Sequence, residues 1–325
     1  MSNPRRFRFA VQSFSAQSAK EWRERARRVE ELGYSTLHLA DHILGPGEAL
    51  ASTNHPVQEL AAVPAMAMAA EATTTLRIGC RVFCIDYRHP AVLAKEAATL
   101  DLLSEGRLEL GLGAGWIRAE YEATNIPFDP VLVRIERLAE TLAAIRAHMG
   151  DASIEIDGKH VRLHGFEGAP KSIQKPHPPI MIGGGSKRIL QLAGREADIV
   201  SFNFNNRAGV IGPDGVQTST AEKTLRKVEW VREAAGARFA DVELEIALYF
   251  AFVGDGTAAV AQGMAANFGL SPEEMARHPH AAFGSVDEIC AELEQRRETY
   301  GMSYFTVGDA VMEAFAPVVN RLAGA

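Results

Sequence analysis

Apolar positions along this chain fall into two rhythms that take turns. Alternating or short unbroken apolar runs predict strands at 7–14, 36–40, 77–85, 107–112, 179–182, 197–202, 242–253 and 302–307. Between them a period near 3.6 predicts helices at 18–32, 57–73, 90–104, 116–149 with a break at 126–130, 187–194, 221–235, 258–267, 285–300 and 311–322. Ser18 and Ser285 stand where helix N-caps belong, and Gly33 closes the first helix. Two stretches leave the rhythm. Residues 152–166 alternate around Asp157-Gly158, a hairpin signal, and a Pro-rich connector follows at 171–179. Residues 203–220 form a long polar, Gly-rich loop, a length that in a compact domain is usually functional or disordered.

Eight strands, nearly all followed by helices, predict an α/β protein of the (β/α)8 TIM-barrel type better than an open, doubly wound sheet with a second lobe. The expectation is a single domain over 1–325, with a hairpin-containing insertion at about 150–178 and the long loop at about 203–220.

Composition narrows the partners. The chain has 325 residues, 47% hydrophobic, with a net charge of −7 and no run of Lys or Arg, which argues against nucleic acid. The four arginines between 23 and 28 are interleaved with glutamates and read as a solvated helix face. The start reads as a strand rather than a signal peptide, and Pro64 and Glu71 interrupt the apolar stretch at 61–72 before it could span a bilayer. Three cysteines, with Cys80 and Cys84 four apart, form neither a disulfide framework nor a zinc motif and read as small core residues. A cytoplasmic protein with a small-molecule substrate, no metal and no membrane partner is expected.

In a barrel the chemistry sits where strands end and βα loops begin. The unusual residues fall there: Gln12 and Ser13 after the first strand, Asp41 and His42 after the second, Gly113, Ala114, Gly115 and Trp116 after the fourth, Gly183 to Ser186 after the fifth, and 202–206 after the sixth. That coincidence points to an enzyme. The fourth-strand turn resembles GxGxxG, but Trp116 replaces the last glycine and the turn lies a third of the way in, so a dinucleotide-binding Rossmann domain is disfavoured. Gly183, Gly184, Gly185 and Ser186 lead into a helix, an arrangement that can cradle phosphate or form a plain turn. His42 is a candidate proton donor or acceptor, or else a loop anchor. Asp41 is read as orienting His42 or capping a turn. Trp116, Phe202, Phe204 and Tyr249 are candidate pocket walls or core, and Glu120 and Tyr121 face either the pocket or the surface. His89 reads as a strand–helix junction; His160, His164, His177, His278 and His280 receive no role.

Four segments carry a family resemblance: LADH at 39–42, RIGCRVFCIDYRHPAVLAKEAATLDLLSEGRLELGLGAGW at 77–116, EY at 120–121 and PPIMIGGGS at 178–186. They resemble the bacterial luciferase-like superfamily, specifically its branch dependent on the deazaflavin coenzyme F420. The resemblance implies a (β/α)8 barrel, a homodimer, and hydride transfer between F420 and an organic substrate. The alternative is an FMN-dependent monooxygenase fed reduced flavin by a partner reductase. A third reading is a non-catalytic cofactor-binding protein. The resemblance places Asp41 and His42 at the cofactor ring, a non-prolyl cis peptide at Arg81–Val82 behind it, and the glycine turns at 113–115 and 183–186 along its polar tail. Sugar-phosphate dehydrogenases of this branch carry a glutamate where Trp116 stands, which favours a larger apolar or unsaturated substrate here.

Overall fold

Strands buried on both faces are written as near-continuous apolar runs, and the runs of this chain become the walls of a closed parallel barrel. The structure, a computed structural model, describes residues 5–325; the first four residues, on which the leader reading partly fell, lie outside the described residues. The strands are β1 (Arg8–Gln12), β2 (Thr36–Leu39), β3 (Arg77–Cys80), β4 (Phe83–Cys84), β5 (Leu108–Gly113), β6 (Ile154–Asp157), β7 (Arg162–Phe166), β8 (Ile180–Gly184), β9 (Ile199–Phe202), β10 (Glu243–Leu248), β11 (Phe250–Val253), β12 (Ala281–Gly284) and β13 (Met302–Gly308). The main sheet runs β3-β2-β1-β13-β10-β9-β8-β5-β4, and β3 also pairs with β5, which closes the ring. β3 and β4 are halves of one predicted strand, interrupted at Arg81-Val82 and both parallel to β5. Eight strand positions therefore make the (β/α)8 barrel that the sequence pattern predicts.

The pattern misleads in two places. The predicted seventh strand is not continuous: β10 stays in the barrel, the chain turns at Tyr249, and β11 pairs in parallel with β12, a strand the sequence reading passed over. Residues 203–220 contain a helical turn at Pro213–Val216 and a 3-10 turn at Gln217–Ser219. The hairpin β6–β7 is antiparallel, but Asp157 lies opposite Arg162, so four residues rather than Asp-Gly alone make the connection. Glu140 holds that loop by accepting from the backbone N–H groups of Lys159, His160 and Val161.

By its internal contacts the chain divides into two compact units, each discontinuous in sequence: Met1–Ser13, Arg28–Leu37 and Ile182–Ala325 form one, Phe14–Arg27 and His38–Met181 the other. In the first, Arg8 pairs with Glu243 through two bonds of 2.8 and 2.6 Å, its guanidinium lying over the Tyr304 ring. In the second, buried Asp101 accepts from Ser172, from the Gln174 backbone and from the Gln174 side chain, which ties the Pro-rich connector to the helix Pro90–Leu103. No described helix is long and apolar enough to cross a membrane.

Candidate active site

His42 follows β2, in the second unit. Its Nδ1 lies 2.8 Å from Oε2 of Glu120, which the first turn of the helix Arg118–Ala123 delivers from after β5. Glu120 is completely buried. Oε1 accepts from the Ile43 backbone N–H at 2.5 Å and, more loosely, from that of Leu44; the Tyr87 hydroxyl donates to Oε2 at 2.8 Å. Burial alone would raise this carboxyl's pKa, but the bonds from His42, Ile43 and Tyr87 outweigh it and hold it below the ordinary value. Burial, with help from neighbouring charges, drives the Tyr87 phenol far up, so Tyr87 stays a donor. An ionised acceptor against Nδ1 keeps a proton on that nitrogen, so Nε2 is the atom left to exchange one. Two further rings enclose it: His55, with centroids 4.1 Å apart, and Trp116, edge-on at 6.1 Å.

Asp41 does not bond His42, the first of the roles read for it from the sequence; it holds a turn, the last of them. Its carboxylate accepts from the two terminal Arg88 nitrogens, at 2.6 and 2.9 Å, and from the Cys84 backbone N–H at 3.0 Å. Those bonds pin the end of β4 and the turn after it to the end of β2. Asp41→Asn removes the charge facing a half-buried guanidinium that only Glu96 would still share. It is expected to cost about 2–3 kcal/mol, read as a lowered denaturant midpoint at unchanged slope.

The peptide Arg81–Val82 is cis, as the resemblance implied. The β5 glycines explain how the bulge fits. A Cβ on Gly111 would lie 1.9 Å from the Cys80 carbonyl oxygen, and one on Gly113 would lie 2.5 Å from a Val82 methyl. Gly115, at φ +70°, leaves room for the Tyr121 hydroxyl. The carbonyls of Ala114 and Gly115 both accept from Arg134, which fixes the turn from outside. Tyr121 is fully buried; its hydroxyl donates to Asp86 at 2.8 Å and touches Cys84, while Arg137 closes the cluster on Asp86. Tyr121 thus supports the site from beneath and presents nothing to a substrate, and Glu120 likewise faces His42 rather than solvent. All three cysteines are buried, and burial pushes the Cys84 thiol up to about 12.

The first unit holds the other predicted residues. Gly183, Gly184 and Gly185 end β8 against the chain after β9, and Ser186 is the N-cap of the helix Lys187–Glu196 without a side-chain capping bond. Phe204 and Tyr249 meet, 5.3 Å apart, and both pack on His280. Phe202 is not with them: it is buried within β9. Gln12 is buried at the end of β1, and Ser13 donates to Asp309 at 2.6 Å. Under the long loop, buried Lys227 donates to the Asn203 carbonyl and to Ser219, and burial lowers its pKa to about 7.

Residues 6–319 match the family model described as luciferase-like monooxygenase. The chain belongs to that family. It is similar, at 30% identity over 121 residues, to an FMNH(2)-dependent dimethylsulfone monooxygenase of Pseudomonas putida, the match covering 37% of this chain and 33% of that protein. It is equally similar, at 30% over 178 residues, to an F420-dependent glucose-6-phosphate dehydrogenase of Amycolatopsis mediterranei (strain U-32), covering 54% and 50%. These stretches span between a third and half of the two curated relatives. In fold it matches the coenzyme F420 dependent tetrahydromethanopterin reductase from Methanopyrus kandleri, with a TM-score of 0.76 at 17% identity over 98% of this chain and all of that one.

Within this member of the family the sequence reading overlooked four residues of the site. Arg88 and Tyr87 follow β4 directly, in the run Ile85-Asp86-Tyr87-Arg88, so the rule that polar residues at strand ends carry function would have found them. Arg134 sits in the helix Val131–Met149 and reads as surface until its bonds are seen. His55 lies in a loop with no periodic signal at all.

Proposed function

We propose that the chain is an oxidoreductase working with coenzyme F420, exchanging a hydride between the deazaflavin and an organic substrate. The carrying observation is His42 with its Nδ1 committed to an ionised, buried Glu120. Hydride addition to a polarised double bond leaves an anion that needs a proton, and hydride removal from an alcohol releases one. An imidazole oriented this way serves either direction through Nε2. The cofactor, when bound, supplies the redox chemistry; the protein supplies position and proton handling.

The residues fit such a group. Ser186 opens a ten-residue helix with its hydroxyl uncommitted to a cap, so the glycine turn and first helical N–H groups suit an anionic tail. The Arg81–Val82 bulge, backed by glycines on β5, offers a backbone surface for a ring. Trp116 against His42 and His55 favours an apolar or unsaturated substrate. A homodimer is part of the same reading. A second reading, an FMN-dependent monooxygenase supplied by a partner reductase, draws on the similarity to the P. putida enzyme.

Titrating the purified protein with each cofactor separates the two. Saturable quenching of F420 fluorescence with no uptake of FMN is expected; tight FMN binding with none for F420 overturns the first reading.

A further inference from the structure

His55 is a residue of this site that neither motif nor resemblance assigns. Its ring stands 4.1 Å from that of His42, tilted by 53°, with Trp116 packed against both at 5.9 and 6.1 Å and Phe14 edge-on behind it at 6.2 Å. Its Nδ1 lies 2.8 Å from the Pro56 carbonyl oxygen, an acceptor only, so Nδ1 carries the proton. The two histidines are therefore arranged alike: each spends Nδ1–H on a protein acceptor, and each in its neutral form has Nε2 as a lone pair. Among the described residues no acidic or basic side chain is bonded to the His55 ring; the charges acting on it are those of His42 and Glu120.

We propose that His55 is a second proton carrier of this site, exchanging one proton with His42 and passing it to solvent along the loop that bears it. The inference rests on the function proposed for His42. In the transfer, the proton leaves Nε2 of a doubly protonated His42 and binds the Nε2 lone pair of His55. His42 returns to its neutral, Nδ1-protonated form, His55 becomes the cation with its Nδ1–H still on Pro56, and water then takes the proton. No electrons move. Two cations at this ring separation repel, so beyond the two Nδ1 protons the pair takes up one further proton, not two. His55 is well suited to give that proton up: burial, then the neighbouring His42, brings its pKa down to about 4.

Two measurements on the intact protein test this. The first needs neither cofactor nor substrate: the His55 ring is titrated by NMR in the wild type and in His42→Gln. The midpoint is expected to rise in the variant by roughly half a pH unit or more, as a Coulombic neighbour of this kind requires, though not fully to the ordinary histidine value because burial persists. An unmoved midpoint overturns the pairing. The second is the pH dependence of kcat/KM with F420 and a turned-over substrate in His55→Gln, which is expected to fall about tenfold and to lose one limb of its profile while F420 affinity holds. Activity that falls with His42→Gln and ignores His55→Gln overturns this proposal alone. Activity indifferent to both substitutions overturns the function proposed above, and this proposal with it.

Discussion

Glu120→Gln is expected to lower turnover by roughly 10²-fold while F420 affinity holds. The reason is a donor count. Four donors converge on this carboxylate: the ring of His42, the backbones of Ile43 and Leu44, and the Tyr87 hydroxyl. Glutamine keeps one acceptor oxygen and turns the other into a donor. The oxygen stays with the two backbone N–H groups, which cannot rotate away. The new amide N–H then faces His42, whose Nδ1 must become the acceptor, so the ring proton moves to Nε2 and the lone pair that the proposed function uses is lost. The imidazole 15N shifts report this tautomer exchange directly. A Glu120 that merely filled space would leave those shifts as they are in the wild type. Glu120→Asp keeps the charge but draws it back by one methylene, and should restore the wild-type tautomer with partial activity.

The same carboxylate gives an acid limit. Its pKa in the fold lies below the ordinary 4.5, so the native state favours its ionised form. The stability this contributes is fully present above about pH 4.5 and is lost as pH falls through the lower folded value. In Glu120→Gln that acid-side loss should shrink, and the fall of Tm between pH 5 and pH 3 should be shallower than in the wild type.

Much of the scaffold was legible because it rests on local, periodic signals. Parallel strands buried on both faces leave apolar runs, and Leu108, Leu110 and Leu112 announce β5 without help from elsewhere. The failure at β11 has the same root: Val242 to Val253 reads as one apolar run, and nothing in the run says that Tyr249 turns the chain toward β12, a partner some thirty residues away. The ends of strands pointed to His42 and Asp41, and the family resemblance pointed to the cis peptide at Arg81–Val82. What they could not reveal was who holds whom. Asp41 stands beside His42 in sequence yet binds Arg88, while Glu120, 78 positions away, binds His42. Both residues lie beyond the end of β2, where no strand periodicity fixes which way a side chain turns, so proximity in sequence did not identify the partner. At Gly111 and Gly113 the space a side chain would take is filled by the Arg81–Val82 bulge, a long-range contact that no local pattern announces.

That last point carries the largest expected effect on stability. Gly111→Ala should destabilise the protein by about 3 kcal/mol or more, lowering Tm by roughly 10 °C, or leave no soluble material. The added Cβ would sit 1.9 Å from the Cys80 carbonyl oxygen, an atom of the neighbouring strand's backbone, with a Val82 methyl at 3.1 Å on its other side. A side chain could swing aside; this carbonyl belongs to β3, which is held to β5 in register, Ile78 opposite Leu108 and Gly79 opposite Glu109. Relief would have to come from moving the bulge, and with it Val82, away from β5. Gly113→Ala meets a valine methyl instead, at 2.5 Å, and should cost less, though a β-branched side chain has few rotamers to retreat into. Gly263→Ala is the control for glycine removal as such. It lies exposed in the interior of the helix Thr257–Phe268 with nothing within 4 Å of its added Cβ, and should stabilise by up to about 1 kcal/mol. Thermal melts of the three variants should therefore rank Gly263→Ala above wild type, Gly113→Ala below it and Gly111→Ala lowest. A Gly111→Ala protein that melts with the wild type would mean that β5 does not lie against the Cys80 carbonyl. The bulge would then lack the backing that aims Val82 and, through Arg81 on the Leu39 carbonyl at 2.7 Å, steadies the strand leading to His42.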